Sequence, residues 1–564
     1  MTDTLASVPP ANSTGEPNHL DAELTFPKWL RRTCELHADR PALVFGEETW
    51  SYRRLGEEVS KLEAALLGLG ATKGTRIAIV IGMRPEWVIS TFAAMCIGAV
   101  AIPLSTYEPA EKREQLLRHA DATILILQDQ MLRHRYLDDL LAAHPGIQED
   151  RPGPYLDPEL PYLRHVIHVG GGESRGRLLS WDDALANSPA LPGGYLESVE
   201  REIHPTDDAL IIYTSGTSGV PKGVIHAHRS LAIQFDRLPR EFTTTPEDVI
   251  WGTFAFFWSA GIAWILGAAL AVGAKLVLQE HFDPVEALEL IEKHGITVAQ
   301  ITPQHAGELE QALGQHPSDL SSLRILPRSS LSDHLGLPAD YPCGGASLGL
   351  SETLTLAASI PWDAPVELRR HTHGRPLPGT SMKIIDPETG ARLPVGEHGE
   401  IAIKGTTLMK GYNKMFPETY LDDCGYYRTK DGGYLDERGY LHWTGRMSQV
   451  IRTNNVLVSP AEVEAALHNL AGVTVAAVTG VPDETYGELV VACVVPAAGA
   501  TLTAAGVRAE LRDHLATYKI PSRIFFVEES ELPMTATGKP VLDSLKNLVT
   551  ARIRSDEPEG DTDR

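Results

Sequence analysis

Alternation between apolar runs and amphipathic stretches is the feature that most restricts how this 564-residue chain can fold. Residues 52–71 have the apolar spacing of a helix, 76–82 read "RIAIVIG" and predict a strand, and 85–99 and 100–104 repeat the helix and the strand. The same order recurs where "AKLVLQ" is followed by "DPVEALELIEKHG". Strands and helices in this order are typical of βαβ units, so we predict an α/β protein with βαβ-type sheets.

The pattern changes twice toward the C-terminus. After Arg375, short strands such as "SMKIID" and "GEIAIKG" are separated by Gly, Pro and acidic turns, which predicts a small β-rich subdomain. Beyond Arg446, helices and strands of a further unit follow. We therefore predict a large N-terminal domain over 23–445, a small α+β C-terminal domain over 446–552, a loose tail at 1–22 and an acidic tail at 553–564.

Composition excludes several classes of partner. The formal net charge of −24 repels a phosphate backbone or an anionic lipid surface, so we expect no nucleic acid partner and no membrane partner. The five cysteines lie far apart and include no CxxC pair that would indicate a zinc or redox site. The N-terminus also lacks the basic start and apolar core of a signal peptide. Together these features predict a cytoplasmic protein.

One segment, taken alone, favours a membrane protein. Residues 249–274 carry no charge and exceed the roughly 20 apolar residues that span a bilayer. However, the first half is aromatic and strand-like, the second half is rich in small residues and helix-like, and the flanking loops show no basic bias. We predict a buried strand, turn and helix, with a membrane span as the alternative.

The stretch "YTSGTSGVPKG" at 213–223 consists mostly of hydroxyl residues and glycines. It follows the predicted strand "ALIIY" and precedes a predicted helix, a place where backbone N–H groups can converge on an anion. Glycine allows close backbone approach, and Lys222 adds a positive charge. Because Gly follows Lys222, the stretch does not match the P-loop pattern GxxxxGKS or GxxxxGKT. We predict a phosphate-binding loop rather than a flexible Ser/Gly linker.

This stretch resembles the signature loop of the adenylate-forming superfamily, which includes acyl-CoA synthetases, aryl-CoA ligases, luciferases and peptide-synthetase adenylation domains. Other stretches resemble the family's motifs in order along nearly the whole chain: "RPEWV", "GAVAIPLST", "LGLSET", "GRPLPG", "YYRTKDGGYLDERGYLHWTGR" and "LPMTATGKP". The resemblance implies that a carboxylate attacks the α-phosphate of ATP, giving an acyl-AMP and pyrophosphate, after which a nucleophile displaces AMP. It also implies a mobile C-terminal domain that rotates between the two steps.

The resemblance also implies roles for named residues. Ser351 and Glu352 of "LSET" would belong to the nucleotide site, with Glu352 binding Mg²⁺. Asp431 would accept hydrogen bonds from the ribose hydroxyls, and Arg446 would reach the ribose or a phosphate oxygen. Lys539 would be the catalytic lysine of the C-terminal domain, acting with Glu352. The phosphates would be held by the loop residues Thr214, Ser215, Gly216, Thr217, Ser218, Gly219 and Lys222, the last also counted as catalytic.

Several positions depart from the family's pattern. Gln449 occupies the hinge, where the family commonly has Asp or Lys, and Asn454 and Asn455 replace a glycine pair that lines the pantetheine tunnel. Their side chains take up space, so CoA use is less secure than adenylation. Lys430 replaces the glycine of the usual "TGD", and Leu348 replaces an aromatic that stacks near adenine. These two changes predict that the base is held differently.

The acyl pocket is expected around "FAFFWSAGI" at 254–262. Phe257 stands where amino-acid-activating domains have Asp, so a free α-amino acid is disfavoured. Trp258 would stand near the gate of the pocket, and Gly261 could leave room for a chain or ring. These apolar walls suit a fatty or aromatic carboxylate, although the aromatics could equally be core residues.

The leading prediction is an ATP- and Mg²⁺-dependent carboxylate–CoA ligase whose partners are a small carboxylic acid, ATP and CoA. A first alternative keeps adenylation but transfers to a carrier-protein thiol or an amine, or activates an unusual oxyacid. A second alternative is a catalytically silent nucleotide-binding member. A homodimer is also considered.

Overall fold

The computed structural model describes residues 24–150, 153–214, 222–326, 331, 335–336, 346–453, 456–483, 487–497, 499–512, 514–534 and 540–556. Ser215, Gly216, Thr217, Ser218 and Gly219 of the predicted phosphate loop lie outside these residues, as do Lys539, Asn454 and Asn455. The chain divides into two compact units. The first comprises Met1–Leu43 and Glu48–Arg237, and the second comprises Val44–Glu47 and Leu238–Arg564.

The elements up to the boundary between the units alternate as the sequence predicts. In chain order they are α1 (Phe26–Leu36), β1 (Pro41–Phe45), β2 (Glu48–Ser51), α2 (Tyr52–Gly68), β3 (Arg76–Val80), α3 (Pro85–Cys96), β4 (Val100–Pro103), α4 (Ala110–Ala120), β5 (Ile124–Gln128), α5 (Tyr136–Ala143), β6 (His165–Val169), β7 (Leu178–Ser180), α6 (Trp181–Ala186), α7 (Tyr195–Arg201), β8 (Asp208–Thr214), β9 (Lys222–Ala227) and α8 (His228–Glu241).

Seven strands of the first unit lie side by side in the order β9-β8-β4-β3-β5-β6-β7. Neighbours from β8 to β7 are parallel, whereas β9 runs antiparallel to β8. Apolar side chains of β3, β5 and α4 pack into one buried cluster. This confirms the predicted parallel βαβ arrangement. It also places the carboxyl ends of the parallel strands at one edge, where open α/β sheets bind their ligands.

The second unit contains the remaining elements. They are β10 (Val249–Gly252), a π-helix (Ala260–Gly267), α9 (Ala268–Ala271), β11 (Lys275–Leu278), α10 (Pro284–His294), β12 (Val298–Gln300), α11 (Pro303–Leu313), β13 (Leu348–Leu350), β14 (Thr355–Ser359), α12 (Val366–His371), β15 (Arg375–Pro376), β16 (Thr380–Ile385), β17 (Gly399–Gly405), β18 (Gly411–Tyr412), β19 (Tyr427–Leu435), β20 (Leu441–Arg446), β21 (Ile451–Thr453), β22 (Val456–Val458), α13 (Pro460–His468), β23 (Val473–Asp483), β24 (Gly487–Pro496), α14 (Ala504–Leu511), β25 (Arg523–Phe526) and α15 (Leu542–Asp556).

Two antiparallel sheets follow in this unit, and the second of them, which begins at β16, corresponds to the β-rich subdomain predicted after Arg375. Strands β13, β14 and β15 pair in that order, and β16, β17, β19 and β20 form a four-stranded meander. A separate sheet follows in the order β22-β21-β24-β23, with β25 parallel to β24. Buried clusters on its two faces involve α13 and α15.

The uncharged segment at 249–274 contributes strand β10 and then a π-helix that continues into α9. The buried strand and helix are thus confirmed, although most of the helix is of the π type. Among the described residues, no helix is long and apolar enough to cross a membrane. At the C-terminus, α15 continues through Asp556, so the first residues of the predicted tail at 553–564 are helical.

Candidate active site

The ends of the predicted phosphate loop lie in a β-hairpin. Thr214 ends β8 at the carboxyl edge of the parallel strands, and Lys222 begins β9 directly opposite it. Both side chains are half-buried. The helix predicted after the loop is found as α8, which begins at His228, after the six residues of β9 that start at Lys222, about 20 Å of extended chain. At the described ends of this hairpin, the positive charge is that of Lys222.

Glu352 lies in a short 3₁₀ turn, Ser351–Thr353, between β13 and β14. Its backbone carbonyl accepts a hydrogen bond from the Met409 amide at 2.7 Å. The Thr353 hydroxyl, which is buried, donates to the carbonyls of Leu350 and Thr355 at 3.2 and 3.1 Å. The turn is therefore held from both sides, which fixes the point from which the Glu352 side chain starts.

Two buried tyrosines orient the Glu352 carboxylate. Tyr412 on β18 donates to Oε1 at 2.5 Å, and Tyr427 on β19 donates to the same oxygen at 3.1 Å. The two hydroxyls are 3.0 Å apart, and the residues are 5% and 7% exposed. Burial and the neighbouring carboxylate raise the pKa of both phenols far above the usual value, so both stay protonated and can donate. Neither tyrosine was predicted from the sequence as a site residue.

The backbone is strained immediately after Glu352. Leu354 and Thr355 both have positive φ, 51° and 87°, in a region that side chains with a Cβ rarely adopt. Leu354 is fully buried, and the Thr355 hydroxyl donates to the Ser259 carbonyl at 2.7 Å. Strain of this kind persists only where the surrounding structure enforces it, and it concentrates at functional sites. The same hydrogen bond ties the Glu352 turn to the segment expected to form the acyl pocket.

Asp431 and Arg446 are brought together across neighbouring strands. They pair directly in the register of β19 and β20, and Arg446 Nε lies 3.1 Å from Asp431 Oδ1. Arg446 Nη1 also donates to the Thr429 carbonyl at 2.8 Å. Asp431 is buried, whereas Arg446 is largely exposed. Asp431 lies four residues after Tyr427 on β19, so this ion pair is on the same strand as one of the tyrosines that hold Glu352.

Lys430 occupies a left-handed position between Thr429 and Asp431. Its φ is 61°, a conformation that favours glycine, and its amide donates to Glu400 Oε1 at 3.0 Å. Glu400 is itself buried and is paired with Arg428 at 2.6 Å. Although Lys replaces the family's glycine, the turn that carries Asp431 is therefore built in the conformation a glycine would supply.

The residues expected to line the acyl pocket lie within the described part of the chain. Phe257 is buried and packs edge-on against half-buried Trp258, with ring centroids 5.1 Å apart. Gly261 lies in the π-helix, where a Cβ would stand 2.1 Å from the Ala255 carbonyl oxygen. The local backbone therefore requires glycine at 261, and the expectation that Gly261 leaves room for a chain or ring stays a prediction. Gln449, the expected hinge, ends a short 3₁₀ turn that follows β20.

Two family profiles match most of the chain. The profile of the AMP-binding enzyme family matches residues 30–413, and that of its C-terminal domain matches residues 462–539. The chain belongs to the adenylate-forming superfamily of AMP-binding enzymes. Its α/β fold with a distinct C-terminal sheet agrees with this membership. The superfamily supports an AMP-forming ligase as the general class of activity.

Individual relatives cover nearly the whole chain. It is 31% identical to a 3-[(3aS,4S,7aS)-7a-methyl-1,5-dioxo-octahydro-1H-inden-4-yl]propanoyl:CoA ligase of Mycobacterium tuberculosis, over 93% of this chain and 99% of the relative. It is 29% identical to an indoleacetate–CoA ligase of Aromatoleum aromaticum, over 93% and 98%. Among solved structures, the amide bond synthetase McbA of Marinactinospora thermotolerans is 27% identical with a TM-score of 0.75, over 93% and 99%.

Proposed function

We propose that this protein is an ATP-dependent carboxylate–CoA ligase that forms an acyl-AMP and then an acyl-CoA. The observation that carries the proposal is the Glu352 carboxylate held by two phenol hydroxyls beside the Asp431–Arg446 pair. A catalytically silent protein has no need to keep this arrangement. The CoA ligases among its relatives support the same acceptor.

Glu352 fits a magnesium site of the kind found with nucleotides. Mg²⁺ is usually bound by one or two carboxylates together with substrate phosphates, rather than by a cage of protein ligands. Among the described residues, no group of three or more His, Cys, Asp or Glu side chains could hold a metal, so the single carboxylate matches the first mode. Both tyrosines bond to Oε1, which makes Oε2 the oxygen we assign to the cation. Bound there, Mg²⁺ would neutralise charge on the phosphates.

The other residues position ATP and the acid. Thr214 and Lys222 would hold the β- and γ-phosphates at the hairpin, together with loop residues Ser215 to Gly219. Asp431 would accept hydrogen bonds from the ribose, and the exposed side of Arg446 would donate to the ribose or a phosphate. In the first step a carboxylate oxygen bonds to the α-phosphorus and the bond to the pyrophosphate oxygen breaks. Lys539 would stabilise the charge that develops between the acid and the α-phosphate.

In the second step the CoA sulfur bonds to the acyl carbon, the bond from that carbon to the phosphate oxygen breaks, AMP leaves, and the thiol proton passes to solvent. We assign this step to rotation of a C-terminal domain over 446–552 about Gln449. The N-terminal domain would then be 23–445. This boundary falls between the two stretches that the family profiles match.

The acid is proposed to be fatty or aromatic. Phe257 puts an apolar ring where an α-ammonium group would need a carboxylate, and Trp258 packs against it. The indoleacetate and indenyl-propanoyl relatives also act on acids with ring systems. We also propose that the protein is cytoplasmic. A carrier protein or a second copy of the chain, as a homodimer, is proposed as its protein partner.

An amine acceptor is the second candidate, because the chain also resembles an amide bond synthetase. Both candidates share acyl-AMP formation and differ in the last step. The test is mass spectrometry of products from ATP, Mg²⁺ and a panel of fatty and aromatic acids, with CoA, with an amine, and with neither. Acyl-CoA formed only with CoA supports the ligase, whereas amide formed only with the amine supports the alternative. The proposal fails if no acyl-AMP forms with any acid, or if Glu352→Gln does not lower the rate of acyl-AMP formation.

A further inference from the structure

A cavity of about 190 Å³ opens at the amino edge of the parallel sheet in the first unit. Thr75 precedes β3, Ile124 begins β5, His165 begins β6 and Arg177 precedes β7, and all four line this cavity. The other lining residues are Leu69, Gly70, Ala71, Thr123, Pro154, Tyr155 and Arg164. The cavity is therefore built by the ends of four elements of one rigid sheet rather than by a single loop.

The cavity is distinct from the catalytic hairpin. Thr214 lies at the carboxyl end of β8, and β8 is parallel to the strands that border the cavity. The two places thus lie at opposite edges of the same sheet, separated by at least a strand length of about 15 Å. A ligand in this cavity cannot be one that contacts Thr214 or Lys222 at the same time.

Two arginines, Arg164 and Arg177, line this cavity in a strongly acidic protein. Arg164 and Arg177 flank His165, and their charges, after burial, lower the pKa of His165, so the imidazole stays neutral. Arg76, which is also half-buried, is by comparison neutralised by Asp121 at 3.1 Å. In contrast, among the residues that the structure describes, no carboxylate oxygen lies within 4.0 Å of the guanidinium of Arg164 or Arg177.

Both guanidiniums retain donors. Arg164 Nη1 donates to the carbonyls of Tyr155, Pro161 and Leu163 at 2.8–3.1 Å, and the other Arg164 nitrogens bond to none of the described residues. Arg177 Nη2 donates to the Gly153 carbonyl, which leaves Nε and Nη1. These bonds fix where the guanidiniums lie and keep hydrogen-bond donors for a ligand. A fixed fork of N–H donors is suited to a carboxylate.

The rest of the lining is apolar. Leu69, Ala71, Ile124, Pro154 and the Tyr155 ring supply most of it. The Tyr155 hydroxyl donates a hydrogen bond to Asp157 Oδ2 at 2.7 Å, so this carboxylate already accepts a hydrogen bond from the lining. A cavity of about 150 Å³ holds benzene, so this one has room for one ring with a small polar group. We propose that the cavity is a second ligand site, separate from catalysis, for a small carboxylate with an apolar body about the size of a benzene ring.

Calorimetric titration of the full-length protein with benzoate tests this proposal, with benzyl alcohol as the neutral probe of the same shape. Benzoate is expected to bind saturably and benzyl alcohol much more weakly. Arg177→Gln, which can keep a bond to Gly153, is expected to weaken benzoate binding about ten- to a hundredfold, the effect of losing a charge-assisted hydrogen bond. The matched control is Arg175→Gln, because Arg175 is exposed and paired with Glu173 at 3.1 Å.

Benzoate could also enter the proposed acyl pocket, and the variants separate the two sites. Binding that is the same in wild type, Arg177→Gln and Arg175→Gln would overturn the proposal, as would the absence of saturable binding. If Arg177→Gln lowers the melting temperature, photolabelling of the wild type with 4-azidobenzoate decides instead. Label in the peptides around Leu69 or Tyr155 supports the second site, and label confined to the second unit contradicts it.

Discussion

Removing the Tyr412 hydroxyl tests how Glu352 is held. In Tyr412→Phe the carboxylate loses its shorter hydrogen bond, 2.5 Å, and keeps the bond from Tyr427 at 3.1 Å. A hydrogen bond to a charged group contributes about 1.5–3 kcal/mol. Because Tyr427 still donates to the carboxylate in this variant, we expect a loss in the lower part of that range. A loss of about 1.5–2 kcal/mol corresponds to roughly ten- to thirtyfold in the rate constant for adenylation. The Tyr427→Phe variant should lose less, because it removes the longer bond.

The assay is Mg²⁺-dependent exchange of pyrophosphate into ATP, measured over a range of Mg²⁺ concentrations. If Tyr412 orients a metal ligand, Tyr412→Phe should raise the Mg²⁺ concentration needed for half-maximal exchange. Tyr420→Phe is the matched control: the Tyr420 ring packs 4.7 Å from that of Tyr412, and its hydroxyl accepts from the Tyr412 amide at 3.3 Å. No described hydrogen bond joins Tyr420 to Glu352. Equal losses in both variants, or an unchanged Mg²⁺ requirement in Tyr412→Phe, would refute the reasoning.

Three further predictions concern stability, each measured as apparent melting temperature or denaturant midpoint. Lys430→Gly should stabilise the protein by roughly 0.5–1 kcal/mol, because φ at this position is 61°, and a lower midpoint would contradict this. Gly261→Ala should destabilise it by about 1–3 kcal/mol or more, since the new Cβ meets the Ala255 oxygen; a neutral result would mean that the π-helix adjusts freely. Burial and the Glu200 charge raise the pKa of Glu63 to about 8, so its contribution to stability is full below pH 4.5 and is lost as pH rises through 8. Glu63→Gln should therefore melt higher than wild type at pH 9 but not at pH 5, and parallel pH profiles would contradict the assignment.

Helices and strands were predictable where periodicity and end signals agree. The helix predicted from "DPVEALELIEKHG" is found as α10, where the Asp283 side chain accepts from the amides of Val285 and Glu286 and Gly295 ends the helix in the left-handed conformation. Such signals are local, so the sequence contains all of the information they need.

The hairpin after the phosphate loop was missed for the opposite reason. "KGVIHA" is short, and its pairing with β8 depends on residues on the far side of the loop. The helix that follows was predicted and is found as α8, whereas the strand before it was not predicted. Burial along these six residues does not alternate, since only Lys222 and Ile225 are half-buried, so the sequence contains no clear strand pattern there.

The tyrosines at Glu352 were missed because the contact is long-range. Tyr412 and Tyr427 are 60 and 75 residues from Glu352 in sequence and reach it from two different strands. A buried phenol needs a hydrogen-bond partner, but the sequence does not say which one. Glu352 itself was predicted only from the family resemblance.

The departures of this chain from its family differ in physical consequence. At Lys430 the side chain changes, but the backbone takes the left-handed turn that glycine would allow, and Glu400 holds the amide. The Asp431–Arg446 pair beyond it is intact, so this departure should lower stability rather than abolish nucleotide binding. At Gln449 the change removes a charge that could pair differently in two domain orientations. The backbone therefore accommodates the departure at Lys430, whereas Gln449 bears on the proposed acceptor step, where we expect the larger difference from the relatives.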